Sequence, residues 1–283
     1  MNNEISELVN AATRAENSGD LKAAFETWTR IASQTRRADF QCQLGRIAGR
    51  LEKWAVAEKA FAEALSINPR FSVAMLLMGS LFLERTDGDQ ARNAESGRLW
   101  LSRSLDIDPT AVGWSFLGAA LYRLGEKQAA QRAYRTALGI DESYEEAYFN
   151  LGILVAEEGN DIEAEALLRK AIQLDPSYLV AHGRLGLLLQ KQGRYVEAES
   201  EFKCCIEIDP DDYFAHFCLA NTLEIEGRGL EAEQEYRKAL DIRPGDERSL
   251  KFLAQYLESI SRDEEAAELR SQLPSNGSGH ERK

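Results

Sequence analysis

The chain has 283 residues, of which 44% are hydrophobic and 29% charged, and carries a net charge of −13 with an isoelectric point near 4.9. So acidic a chain repels phosphate, which excludes nucleic acid as an expected partner, and no stretch approaches the roughly eighteen apolar residues that membrane insertion needs. Its four cysteines, Cys42, Cys204, Cys205 and Cys218, lack disulfide-framework spacing and read as reduced thiols of an intracellular, cytoplasmic protein.

Residues 1–37 read as a divergent opening hairpin in which Leu8, Ala12, Ala24, Trp28 and Ile31 keep helical spacing without a closing proline. The first residues show no basic start leading into an apolar run, so export is not expected. From residue 38 a stricter pattern begins. Gly45 is followed by Ala57 and Phe61, and the unit closes with SINP at Pro69. The next unit is irregular, because 39 residues separate Gly79 from Gly118. The five extra residues lie between Leu83 and Leu99 and predict a longer inter-helix turn near 86–95. Asp87-Gly88-Asp89 within it is no calcium loop, since the alternating ligands, the sixth-position glycine and the twelfth-position glutamate are missing.

From Gly118 the step is 34, through Gly152, Gly186, Ala220 and Ala254. Small residues follow at Ala130, Ala164, Ala198, Ala232 and Ala266, and large apolar ones at Tyr134, Leu168, Phe202 and Tyr236. The units close with DIDP, GIDE, QLDP, EIDP and DIRP. Ser143 to Pro176 is the most legible of them. Ser143 with Glu146 predicts a capping box, and Tyr148, Leu151, Gly152 and Val155 fall on one helical face. Gly159 then predicts a left-handed stop, and Asn160 with Glu163 a second capping box. Ala164, Leu167, Leu168, Ala171 and Leu174 form the inner stripe of the second helix, which Asp175-Pro176 ends. Gly152 and Ala164 are expected to be small because two helix backbones approach there. A last helix covers DEEAAELRSQL, and PSNGSGHERK from Pro274 reads as a mobile tail whose Asn276-Gly277-Ser278 sequon is incidental.

A 34-residue helix-turn-helix with small residues at the close contact and proline at the exit, repeated over residues 38–273, resembles the tetratricopeptide repeat family. The resemblance implies an all-α fold, a right-handed α-α superhelix of about seven to eight hairpins with the first helix of each lining a concave groove. It also implies a protein or peptide partner.

Nothing in the chain demands an enzyme, a metal or a cofactor: it has no phosphate-cradling glycine loop, no HExxH, no CxxC pair and no distinct Ser-His-Asp set. His182 and His216 are 34 apart and share the repeat position filled by Trp114, Tyr148 and Leu250 elsewhere, so packing is favoured over ligation. Cys204 and Cys205 point about 100° apart on a helix and chelate poorly together. Residues 145–273 hold 28 acidic against 14 basic side chains, read as solvated outer faces.

The groove that the resemblance implies would be lined by outward positions of the first helices. These run from Cys42, Arg46 and Arg50, through Ser80 and Ser115, to a cluster around repeats four to seven: Tyr122, Phe149, Asn150, Ile153, Arg184, Leu187, Phe217 and Asn221. Asn150 and Asn221 each offer a donor and an acceptor to an extended backbone, and Arg184 offers a carboxylate partner. The carboxylate clamp of some family members is matched in part. Asn150 and Arg184 stand at its asparagine and arginine positions, while Ser115, Ala119 and Val180 replace other members. The expected function is a non-enzymatic adaptor or co-chaperone-like scaffold holding a peptide or extended partner segment. The alternative is a structural or regulatory subunit using its outer faces or the 86–95 loop. Oligomeric state is left open.

Overall fold

The computed structural model describes residues 3–273, so the tail read from Pro274 and the sequon at Asn276 lie outside the described residues. Among these there are sixteen α-helices and no strand. The first four hairpins are α1 (Asn3–Asn17) with α2 (Leu21–Gln34), α3 (Ala38–Arg50) with α4 (Trp54–Ile67), α5 (Ser72–Glu84) with α6 (Gln90–Leu105), and α7 (Ala111–Arg123) with α8 (Lys127–Ile140). The others are α9 (Glu145–Glu157) with α10 (Asp161–Leu174), α11 (Leu179–Lys191) with α12 (Tyr195–Ile208), α13 (Tyr213–Ile225) with α14 (Gly229–Ile242), and α15 (Glu247–Ser259) with α16 (Asp263–Ser271). The described residues fall into two compact units, the first ending at Leu151 and the second beginning at Gly152, divided within α9.

In the first unit each of α1 to α8 packs on its hairpin partner, and α2, α4 and α6 pack on α3, α5 and α7 of the next hairpin. The opening hairpin shares this core, with Trp28 and Ile31 buried against Phe40 and Ile47 of α3. In the second unit α12 packs on α13 and α14 on α15 in the same manner. First helices also approach one another closely along their backbones there, α11 on α13 and α13 on α15, whereas successive second helices stand further apart and meet through side-chain ion pairs, Arg169 with Glu197 and Arg237 with Glu265. First helices therefore occupy the inner side of this unit, and second helices its outer side.

The glycine at the hairpin contact has a more specific cause than backbone approach. A Cβ at Gly186 would lie 2.7 Å from the Phe202 ring, and at Gly118 2.6 Å from the Tyr134 ring. The large residue sixteen positions on lays its ring where the glycine side chain would be, so the two positions are one contact. Gly152 faces Leu168, a slimmer side chain, at 3.2 Å.

Local signals fix some helix ends and not others. Gly159, Gly193 and Gly227 hold φ of 84°, 77° and 78° at the inter-helix turns, as the stop requires. Asn160 caps α10, accepting from Glu163 N, and its amide donates to the Glu163 carboxylate. Ser143 does not cap α9: the helix begins at Glu145, so Tyr144 stands at the capping position, and the Ser143 backbone N–H and hydroxyl both donate to Asp141 Oδ1 within the turn. The five extra residues of the third hairpin are not confined to a loop at 86–95. The turn is only residues 85–89, and α6 is sixteen residues long where α4, α8 and α10 have fourteen. Asp89 caps this longer helix and Arg85 ties the turn to Asp87 and Glu58.

Candidate functional site

The inner side of the second unit holds a pocket of about 280 Å³ between α11, α12 and α13. Its wall is apolar: Leu179, Val180, Gly183 and Leu187 from α11, Phe202 and Cys205 from α12, Phe214 and Ala215 from α13. Two charged residues edge it, Arg184 and Asp212. Gly183 makes the opening. A Cβ there would meet only Cys205 Sγ, at 3.9 Å, and the positions 34 residues away on either side are Phe149 and Phe217. A glycine where neighbouring repeats carry a phenyl ring leaves a ring-sized space.

The charges at the rim differ in availability. Asp212 is committed to fold, its carboxylate accepting from Phe214 N and Ala215 N at the start of α13. Arg184 is exposed and, among the described residues, makes neither hydrogen bond nor ion pair. Arg248 lies 5.3 Å from the centroid of the Phe214 ring, a cation over an aromatic face beside the pocket. Cys205 offers no nucleophile: it is 1% exposed, burial pushes its thiol up to about 12, and its sulfur lies 3.6 Å from Leu179 O.

Of the residues singled out from sequence, Arg184 and Leu187 come together at this pocket. Phe217 does not stand outside the folding core. It is 9% exposed, meets Phe252 edge-on at 5.4 Å, and packs on Phe214 and Tyr236. Asn221 is engaged across hairpins, its Oδ1 accepting from Gln190 Nε2 at 2.7 Å. Ile153 is half-buried on α9. In the first unit Tyr122 on α7 and Phe149 and Asn150 on α9 are half-buried. Cys42, Ser80 and Ser115 are buried rather than groove-lining, Cys42 in a core completed by Ala74 and Met78 of α5. The rim residues Asp212 and Phe214 were not singled out. The Gly183 anomaly was the sequence signal that could have found them.

The two histidines are neither ligands nor plain packing. His182 places Nδ1 2.7 Å from Glu201 Oε2 and Nε2 3.1 Å from Pro176 O, and His216 repeats this with Glu235 at 2.6 Å and Pro210 O at 3.1 Å. An imidazole serves two acceptors only when both nitrogens carry protons. The hydrogen bond to the glutamate accordingly raises each pKa above the ordinary value, against burial. Each ring fastens the proline turn that enters its hairpin to the second helix of that hairpin. Among the described residues, no three His, Cys, Asp or Glu side chains converge as a metal site would need, and no helix is long and apolar enough to cross a membrane.

On the outer side the acidity is organised as a ladder. Arg194, at the start of α12, reaches Glu165 on α10 at 2.6 Å and grips Glu197 on its own helix with two bonds of 2.7 Å. Thirty-four residues on, Arg228 joins Glu199 and Glu231, and 34 further Arg262 joins Glu233 and Glu265. Arg169, Lys203 and Arg237 brace the same carboxylates. Many of the glutamates read as solvated faces are thus ion-paired.

Models of the tetratricopeptide repeat family match residues 42–112, 117–178 and 156–217. Among solved structures, the chain is similar to one in the crystal structure of the APC/C hetero-tetramer Cut9-Hcn1, with TM-score 0.71 and 14% identity over 87% of this chain and 48% of that one. It is similar to the C-terminal part of a TPR repeat-containing protein from Cytophaga hutchinsonii, with TM-score 0.59 and 16% identity, covering 81% of this chain and 92% of that one. A third is YrrB, described as a TPR protein with an unusual peptide-binding site, with TM-score 0.53 and 21% identity over 69% of this chain and 97% of that one. No curated protein sequence matches. With family models covering well over half its length, and helix hairpins in the 34-residue register throughout its second unit, the chain belongs to the tetratricopeptide repeat family.

Proposed function

We propose that this protein is a non-enzymatic adaptor that holds an extended segment of a partner protein on the inner side of its second unit. One observation carries the reading: the Gly183 pocket, apolar within and edged by an arginine that folding leaves unpaired. An apolar side chain of the segment fills the space, and a carboxylate or backbone carbonyl beside it is met by Arg184. The unit's acidity favours basic residues flanking that anchor, which speeds encounter more than it tightens the complex. YrrB's description as a peptide-binding member of the same fold is consistent with this use.

Peptides selected from a random library on the intact chain, then measured by calorimetry, test the reading. Gly183→Phe closes the pocket without touching the backbone and is expected to abolish binding. Arg184→Ala is expected to cost ~1–3 kcal/mol where the group it leaves is buried. Glu231→Ala on the outer side is the control. If both inner-side variants bind like wild type while changes at 86–95 abolish binding, the alternative of a subunit docking through that segment takes over.

A further inference from the structure

We propose that the outer edge formed by α10, α12 and α14 is a self-association surface whose occupant is a second copy of this chain. Ile162, Val196 and Leu230 are 85%, 74% and 75% exposed, among the most exposed large apolar side chains in the structure. They stand 34 residues apart, each at the second position of its helix, so three successive hairpins present one aliphatic ridge. The fold does not require them. The same helix position holds Gln128 in α8 and Glu264 in α16. Isolated exposed aliphatics are ordinary, whereas a row of them in register marks a contact surface.

Shape and charge single out the occupant. Beside Ile162 lies an open recess of about 620 Å³, lined by Asp161, Glu165, Ala166, Arg169, Gln192 and Arg194. One edge therefore carries both a ridge and a hollow, which a two-fold arrangement would match: Leu230 of each copy enters the recess of the other, and Val196 lies near the axis. Along this edge eight carboxylates, Asp161, Glu165, Glu197, Glu199, Glu226, Glu231, Glu233 and Glu265, are paired with seven cations, Arg169, Lys191, Arg194, Lys203, Arg228, Arg237 and Arg262. Residues 152–273 hold 26 acidic and 14 basic side chains, so outside this set 18 acidic groups face seven basic ones. Two copies meeting through the ladder edge bring together nearly neutral surfaces, while the rest of the unit, taken together, is strongly negative.

Sedimentation equilibrium of the full chain, from low micromolar to several hundred micromolar, reads the result. The expected mass rises reversibly from 31.7 kDa toward twice that value. Val196→Asp and the recess-filling Ala166→Trp should each weaken association at least tenfold with circular dichroism unchanged. Leu230→Gln, at a position 75% exposed, supplies the same reading should Val196→Asp disturb the fold. Gly183→Phe should leave association as in wild type, which keeps this outcome separate from that of peptide binding. A monomer throughout the range overturns the proposal, as does a dimer that Ala166→Trp and Leu230→Gln leave intact. A monomer that engages only a different protein through this edge overturns it as well.

Discussion

At Gly186 a hydrogen is the largest group that fits, because the Phe202 ring would stand 2.7 Å from any Cβ and is itself buried. Gly186→Ala is expected to destabilise the protein by ~1–3 kcal/mol through displacement of that ring. Gly183→Ala, three residues away on the same helix, meets only Cys205 Sγ at 3.9 Å and should leave stability nearly unchanged. Urea unfolding of the two variants side by side checks the contrast, and equal losses would mean the ring contact is not what selects glycine. The turn before α16 offers the opposite test. Ser261 holds φ of 61° where Gly159, Gly193 and Gly227 occupy equivalent positions. A left-handed non-glycine residue costs ~1–3 kcal/mol, so Ser261→Gly should raise the midpoint by part of that amount. An unchanged or lower midpoint would count against strain at this turn.

At the scale of the element, His182 and His216 connect chemistry to the joining of hairpins. Glu201 and the Pro176 carbonyl face the first ring, with Asp175 acting at longer range; Glu235 and the Pro210 carbonyl face the second, with Lys238 opposing. Both pKa values are raised above 6.5, so the protonated rings contribute stability that is complete below about 6.5 and lost as pH rises through the raised folded values. The expected outcome is a melting-temperature gap between wild type and the His182→Phe, His216→Phe double variant that is widest near pH 6 and narrows by pH 9. Phenylalanine keeps the apolar bulk that Trp114 supplies at this position in α7. A gap independent of pH would show that the rings only fill space.

Over the whole molecule, net charge gives a poor picture of where charge acts. Glu165 and Glu199, mostly buried, would be driven up by desolvation, yet hydrogen bonds from Arg194 and Arg169, and from Lys203 and Arg228, bring both below the ordinary carboxylate value. A depressed folded pKa contributes stability that is present above about 4.5 and is lost as pH falls through the lowered value. Melting temperature should therefore drop as pH is taken from 5 toward 3. Arg228→Gln should lower it at pH 7 and make the acid drop shallower, since Glu199 and Glu231 lose a partner. If Arg228→Gln matches wild type at both ends, the ladder is decorative. Exposed Arg184→Gln is the control, having no partner to lose.

The sequence by itself determined the hairpins. A 34-residue period, left-handed glycines at the turns and proline at the exits are consequences of contacts within one helix pair, and such contacts leave their spacing in the chain. Asn160 with Glu163 was legible for the same reason. Tertiary structure decided what stacking settles between repeats. Arg228 and Glu199 are 29 residues apart, and only the seating of α14's start against α12 makes them partners. Phe217 reads as groove lining in the sequence, yet Phe252 from the next hairpin packs edge-on against its ring. The pocket depends on one glycine departing from the phenylalanines of its neighbours. A single departure from a repeat carries no period of its own, so its meaning appears only when the adjoining helices surround the space it leaves.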